Sequence, residues 1–492
     1  MLPESVDVVV IGAGNAGLCA ALAAREAGAA VLLLERAPEA ERGGNTRFAS
    51  GAFRSVYAGV EDLRALMPDL DEEESATTDF GAYTEAMYHA DMARVTEHRG
   101  DAGLIRLLAA RSRETLQWMH AKGVRFQPIW GRQAFKVDGR YRFWGGLTIE
   151  AAGAGPALVD ALFAAAGRAG AIVAYQARAV GLIAGDDGVS GVRVRQGGQT
   201  REVRTRAVVL AAGGFESNAE WRTRYLGPGW DLAKVRGTRF NTGDGIAMAL
   251  AAGAMSHGNW SGCHAVGWDR EAPEFGDLAV GDGFQKHSYP FGIMINADGQ
   301  RFVDEGADFR NYTYAKYGRL ILEQPNQFAW QVFDRKVRHL LREEYRIARV
   351  TRVEADTLED LVARIGDVDP QRALATIRAF NDAARSDVPF DPNVRDGRAT
   401  TGLAIPKSNW ANAIDTPPFE AYAVTCGITF TFGGLRIDAE ARVIDTEGAP
   451  IPGLYAAGEL VGGLFYFNYP GGSGLMAGAV FGRIAGTAAA RR

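Results

Sequence analysis

The chain has 492 residues, 47% of them hydrophobic and 23% charged, as expected of a globular protein long enough for two or more domains. Its formal net charge of −5 offers no basic field for nucleic acid, so cations for an anionic ligand must be gathered locally. Cys19, Cys263 and Cys426 lie far apart with no C-x-x-C pair, which argues against a disulfide framework, a structural metal site or an iron–sulfur cluster and suits a reducing cytoplasm.

The apolar N-terminus does not read as an export signal. It lacks a positive leading region, carries Asp7 and is interrupted by Gly12, Gly14 and Gly17. No other apolar run reaches membrane length, and there is no internal repeat. Residues 7–36, DVVVIGAGNAGLCAALAAREAGAAVLLLER, read as strand, glycine turn, helix and strand. Val8 to Ile11 form a continuous run suited to a strand buried on both faces. In the G-x-G-x-x-G that follows, Gly12 permits the tight turn, Gly14 lets a pyrophosphate reach the backbone beside Asn15 and Ala16, and Gly17 lets helix and strand pack closely. The helix start offers free N–H groups and a positive dipole end to phosphate. Glu35, followed by Arg36, closes the second strand at the spacing of a ribose-binding carboxylate. This pattern specifies a dinucleotide without separating FAD from NAD.

The next stretch, RGGNTRFASGAF (42–53), leaves room for a large planar ligand at Gly43, Gly44, Ala49, Ser50 and Gly51, with Asn45 and Thr46 as hydrogen-bonding side chains. Here the sequence resembles the fumarate reductase/succinate dehydrogenase flavoprotein superfamily. Four later segments are similar in order: AVVLAAGGFESN (207–218), TGDGIAMALAAGA (242–254), GQRFVDE (299–305) and IPGLYAAGELVGG (451–463). The resemblance implies FAD, held by these segments through Val180, Ala212, Gly213, Gly214, Asp244, Gly458 and Glu459, the last on the ribityl chain. Members with a covalent flavin carry a histidine where this chain has Asn45, which implies non-covalent FAD. Near the C-terminus, GLFYFNYPGGSGLMAG (463–478) sets aromatics against bare glycines. Ser473, Gly474 and Leu475 are expected against the flavin, where a helix starting near Ser473 aims its N–H groups at charge that gathers on reduction.

The fold class expected is α/β: a Rossmann-type, glutathione-reductase-like FAD-binding domain over 1–258 and 427–492, with an inserted α+β capping domain over 259–426. Segments 124–144 and 171–214 read as β-rich, the latter with Asp-Gly and Gly-Gly hairpin turns, and 155–170 as the helix between them. In the cap, GIMINADGQRFVDE reads as a hairpin turning at Asp298-Gly299, and 334–346, 357–366 and 370–385 read as helices. Closure of the cap would exclude water.

In the superfamily a C–C bond next to a carboxylate or carbonyl is oxidised or reduced, one carbon exchanging hydride with the flavin and its neighbour a proton with the protein. The resemblance places Arg310 near the acid/base arginine, allowing one inserted residue; a carboxylate clamp is the other reading. It places His264 at a substrate-contacting histidine, with a satisfied core histidine as the alternative. His287 falls beside the usual proton relay, whose glutamate and arginine positions hold Gln285 and Ser288 here. Phe430 and Tyr469 stand where the family has a carboxylate-binding histidine and arginine, which argues against fumarate or succinate in the usual pose and makes Tyr469 a donor or base.

Within the superfamily, ERAPEAERGGNTRFASGAFR, RFVDEGADFRNYTYAKYG and FNYPGGSGLMAGAVFGRIAG look most like FAD-dependent tricarballylate dehydrogenases. That implies oxidation of tricarballylate to cis-aconitate, with electrons passed to a separate acceptor, a membrane iron–sulfur/haem protein, which would bring a cytoplasmic chain to the membrane. Arg47, Arg54, Arg236, Arg239, Lys286 and Arg310 are the cations available for a polycarboxylate. NYPGG also resembles the catalytic tyrosine stretch of 3-ketosteroid dehydrogenases, and a precorrin-modifying flavoprotein is similar as well. A flavin-binding electron-transfer subunit without its own substrate is the reading from another class; it needs an exposed flavin edge rather than a capped pocket.

Overall fold

The computed structural model describes residues 2–130, 132–144 and 146–492. Five parallel strands run side by side in the larger sheet, Ile172–Ala174 at its edge. They run Pro450–Ala456, Gln199–Leu210, Ser5–Ile11, Val31–Leu34 and Ile172–Ala174 across it. Val8, Val9 and Val10 are completely buried, as a strand covered on both faces must be. Helix Asn15–Glu26 crosses from the first strand to the second, and helix Ser473–Ala490 lies along it. Gly482 and Gly486 allow that approach: a Cβ there would fall 2.4 Å from the Ala16 carbonyl oxygen and 2.0 Å from that of Ala20.

Strand Gln199–Leu210 has two partners on one side. Its first half pairs antiparallel with Gly188–Gln196, its last residues with Pro450–Ala456. Gly197 and Gly198, at φ +56° and +78°, make the expected tight turn. The preceding turn is centred on Asp186 and Asp187 rather than on Asp-Gly, because Gly188 already pairs with Gly185. Helix Ala154–Arg168 stands where a helix was expected, while helices Glu85–Val95 and Ala102–Ala121 add an outer layer that the sequence reading did not assign.

A second sheet is organised on the 17-residue strand Phe419–Leu435. It pairs antiparallel with Ser256–Asp269, Phe328–Phe333 and Arg352–Ala355 and parallel with Lys234–Val235, while Ile293–Asn296 lies beyond Phe328–Phe333. The chain crossings proposed at 258/259 and 426/427 fall inside the first of these pairs. Residues 260–262 bulge out there, between Asn259 opposite Phe432 and Cys263 opposite Thr431.

Two cap expectations need correction. The hairpin after Ile293–Asn296 keeps the glycine turn, with Gly299 at φ +73°, but its returning arm is only a bridge between Ile295 and Arg301. Residues 334–346 do not form one helix. Short 3₁₀ turns at Arg335–Leu340 and Glu343–Tyr345 are separated by extended backbone at Leu341 and Arg342. The break brings the Arg342 and Glu344 side chains inward, so tertiary contacts override a helical pattern. Leu358–Arg364 and Pro370–Ala383 are helices, capped by Thr357 and Asp369. Among the described residues no helix is long and apolar enough to cross a membrane.

Candidate active site

One continuous cavity runs from the C-terminal ends of the parallel strands to the joint between the two sheets. At its start Gly12 adopts φ +102°, and a Cβ there would lie 2.3 Å from the Ala211 carbonyl oxygen. Helix Asn15–Glu26 opens with Gly14 and no side-chain cap, and Gly12, Gly14, Asn15 and Ala16 all line the cavity. Such bare backbone at a helix start accepts a pyrophosphate. Glu35 closes the second strand, its carboxylate accepting the N–H groups of Ala37 (2.9 Å) and Gly43 (3.3 Å). Burial pushes its pKa up, and those N–H bonds hold it down. Arg36 is fixed by Thr242 and Asp244, and Asp244 is also paired with Arg178 at 2.8 Å.

The middle of the cavity is walled by Gly44, Asn45, Thr46, Ala49, Ser50, Ala212, Gly213, Gly458 and Glu459. Thr46 Oγ1 accepts the Asn15 N–H, and the Asn15 amide donates to the Leu475 carbonyl at 2.7 Å, tying together three segments that are distant in sequence. The Asn45 amide is fully engaged: it donates to Glu216 (2.7 Å) and the Thr429 carbonyl (2.8 Å) and accepts from the Thr238 N–H. Its side chain therefore braces the wall instead of reaching for a ligand. Glu459 accepts from the Thr431 N–H at 2.8 Å.

Several expected cofactor positions stand behind the wall. Gly17 packs on the Gly12 carbonyl, Gly43 on Val159, Gly51 on Ala154 and Gly214 on Glu459 and Thr431. Ser473 is buried against Tyr88, while Gly474 and Leu475 line the cavity. Val180 sits at a register slip between Ala179 and Gly181, and Ala177, Arg178 and Ala179 supply that wall instead. The residues facing inward nevertheless fit FAD: a side-chain-free cradle at the helix start, one acidic group at each of two successive stations, and a glycine-rich wall toward Leu475.

At the far end four arginines converge. Arg236 pairs with Asp282 at 2.7 Å, Arg342 with Glu344 at 2.8 Å, and Arg132 with Glu344 at 2.8 Å. Arg310 donates to the Arg132 carbonyl at 3.0 Å, and no carboxylate among the described residues lies within ion-pair distance of it. Burial, and then the neighbouring charge of Arg342, push its pKa down to about 9. Asp282 and Glu344 pair with three of the four guanidinium groups, and Glu150 acts on Arg132 and Arg342 from close by, so the positive charge left without a carboxylate partner is that of Arg310. Of the other expected cations, Arg47 pairs with Asp160 at the surface, Arg239 points to Glu41, Arg54 bonds Tyr83, Asp91 and the Gly471 carbonyl, and Lys286 is buried against Asp269.

His264 and Phe430 are cross-strand partners, so strand register sets both side by side on the cavity wall. His264 is 1% exposed, and neither ring nitrogen has a partner. Burial and the charge of Arg236 hold it neutral, well below its usual range. It faces two tyrosines edge-on, Tyr314 at 4.9 Å and Tyr469 at 4.8 Å. The Tyr469 hydroxyl accepts from the Tyr314 hydroxyl at 2.8 Å and from the Gly472 N–H at 3.2 Å. His287 does not line the main cavity. It stands one layer behind, 3.3 Å from Arg342, on a small chamber shared with Arg310 and Trp144. Arg132, Arg342 and Tyr314 were not anticipated. Tyr314 alone left a signal, four residues after Arg310 in the arm already singled out.

A model of the FAD binding domain family matches residues 7–475. The chain is 30% identical to the probable fumarate reductase Ifc3 of Shewanella frigidimarina (strain NCIMB 400), over 99% of this chain and 75% of that protein. It is 27% identical to 3-oxosteroid 1-dehydrogenase of Mycobacterium tuberculosis (strain ATCC 25618 / H37Rv), over 99% of this chain and 98% of that protein. Among solved structures, a flavocytochrome c3 fumarate reductase in its open conformation superposes with a TM-score of 0.74 at 27% identity, over 99% of this chain and 78% of that one.

Proposed function

From the premise that the chain belongs to the FAD binding domain family, as a fumarate reductase-type oxidoreductase acting on C–C bonds, we propose that it dehydrogenates a polycarboxylate, with tricarballylate to cis-aconitate as the leading case. The observation that carries this reading is Arg310, a buried cation without a carboxylate partner on the wall of an arginine-rich cavity. Burying a guanidinium uncompensated is costly, and a substrate carboxylate would relieve the cost with bidentate bonds. Several carboxylates on one small molecule suit four convergent arginines better than a neutral ring system does.

FAD, when bound, supplies the hydride acceptor. We take it to be non-covalent, since Asn45 occupies the attachment position and its amide is committed to Glu216, Thr429 and Thr238. The chain's own work is to bind and deprotonate. The arginines hold carboxylates and so acidify the adjacent C–H bond. Tyr469 Oη is the proton acceptor in its phenolate form: the hydrogen bonds from Tyr314 and Gly472 stabilise the oxyanion and leave its third lone pair for the substrate proton. Neutral His264, with both nitrogens unpartnered, contacts the substrate without adding charge. Electrons leave to a separate acceptor protein.

A second reading is supported by the aromatic set Phe430, Phe432, Phe465 and Tyr469 around His264, which would suit a carbonyl-activated ring such as a ketosteroid. Anaerobic mixing of the FAD-loaded protein with tricarballylate, other polycarboxylates and a ketosteroid separates the two. Bleaching of the flavin by tricarballylate or another polycarboxylate supports the proposal; bleaching by the ketosteroid alone overturns it.

A further inference from the structure

Glu216 follows the Gly213–Gly214 turn and is fully buried, one layer behind the cavity wall. Its Oε1 accepts two amide N–H groups, from Asn241 at 2.6 Å and from Asn45 at 2.7 Å. Its Oε2 is buried without a donor. The same Asn241 nitrogen reaches Glu459 Oε2 at 3.4 Å, so one amide straddles two carboxyl groups. That shared amide sets the two carboxyls side by side, where each acts on the other's ionisation. Neither has a lysine, arginine or histidine within ion-pair distance among the described residues. Arg222, the nearby cation, spends its guanidinium on the backbone carbonyls of Glu216, Trp230, Asp231 and Ala233.

Two adjacent buried carboxylates with no counter-ion cannot both be ionised. An ionised Glu216 would leave Oε2 as a charged, unsolvated oxygen, whereas a protonated Oε2 needs only an acceptor, and Asn241 brings the Glu459 carboxylate alongside. We propose that Glu216 is kept as a neutral acid that donates its Oε2 proton to Glu459, and so acts as the positioning residue for the carboxylate that FAD meets. The remaining bonds set its orientation. Thr238 N–H, Asn45, Glu216, Asn241, Glu459 and Thr431 form one connected network, which links residues 42–53 to the strand Phe419–Leu435 through the Thr429 carbonyl. Burial and then Glu459 push the Glu216 pKa well above the carboxylate range, and Glu459 is raised with it. The Cys263 thiol nearby is pushed up to about 12 by burial and stays neutral. This inference depends on the chain binding FAD and not on which substrate it oxidises.

Glu216→Gln is the discriminating variant, because a glutamine presents one acceptor to the two asparagines and one donor to Glu459. Infrared difference spectra of wild type minus Glu216→Gln near neutral pH should show one carboxylic-acid carbonyl band present in the wild type and missing from the variant. FAD affinity of Glu216→Gln should stay within about twofold of wild type, while Glu216→Ala, leaving three groups without their partner, weakens it about tenfold. In the wild type FAD affinity should fall as alkaline pH removes the shared proton, and in Glu216→Gln that fall should vanish. The proposal is overturned if no acid carbonyl band disappears, if Glu216→Gln loses FAD as badly as Glu216→Ala, or if the alkaline fall persists unchanged. Should Glu216→Ala fail to fold, the spectrum and pH profile of Glu216→Gln still decide.

Discussion

The two ends of the cavity are made by different means. At the phosphate end the work is done by backbone: one strand, one turn and one helix start within about a dozen residues, with Gly12 and Gly17 present so that nothing intrudes. At the substrate end it is done by side chains from six separate places in the chain, Arg132, Arg236, His264, Arg310, Arg342 and Tyr469. A backbone site is specified by what cannot be there, and a side-chain site by what several elements bring. Damage at the first end should remove cofactor and fold together; damage at the second should spare both.

The largest effect tests the first half of that contrast. A Cβ at Gly17 would lie 1.8 Å from the Gly12 carbonyl oxygen, backbone against backbone, with no flexible atom to give way. Gly17→Val should yield no FAD-containing folded protein, measured as the flavin absorbance that co-purifies with the monodisperse peak. Recovery of yellow, folded material would mean that helix and strand can separate at no great cost.

At the other end, Tyr469→Phe should keep FAD and melting temperature while slowing anaerobic flavin reduction by about 10²–10⁴. It removes the proposed proton acceptor and leaves the Tyr314 hydroxyl without its acceptor. Near-wild-type reduction would take Tyr469 out of the chemistry. Arg310→Lys should come next, lowering kcat/KM for a polycarboxylate by about 10–10² because lysine lacks the planar fork. An unchanged kcat/KM would show that Arg310 does not touch the substrate.

The same contrast explains what could be read beforehand. The strand–turn–helix, Glu35 and the glycine segments are local patterns, and local patterns survive in a linear sequence. Arg236, His264, Arg310 and Tyr469 were reachable only through resemblance to a family. Arg132 lies in a segment with no periodicity to flag it. Arg342 sat in a stretch that reads as a helix, and only the extended break at Leu341 and Arg342 turns its side chain inward. Tyr314 acts through a neighbour 155 residues away in sequence, and Glu216 through a partner more distant still. Non-local pairing leaves no spacing to detect. The Glu459 side chain was anticipated; the second carboxyl behind it was not.

The smallest effect is the most specific to the proposed ligand. Arg310 differs from its neighbours in lacking a carboxylate: Arg236 has Asp282, and Arg342 and Arg132 have Glu344. With its folded pKa pushed down to about 9 from an ordinary value of 12.5, the folded state holds fewer protons on Arg310 than the unfolded state between those two pH values. Stability therefore rises with pH across that window, and the full destabilisation by Arg310 is felt below about pH 9. Arg310→Met should then stabilise the substrate-free protein near neutral pH by about 1–3 kcal/mol in denaturant melts, while abolishing polycarboxylate-driven flavin reduction. The gain should shrink as pH rises above about 9, where the wild-type guanidinium sheds its charge. It should shrink also when a saturating polycarboxylate supplies the wild type with the missing counter-charge. A variant no more stable than wild type near neutral pH would mean that Arg310 is already compensated within the protein, and the cavity's demand for an anion would lose its main support.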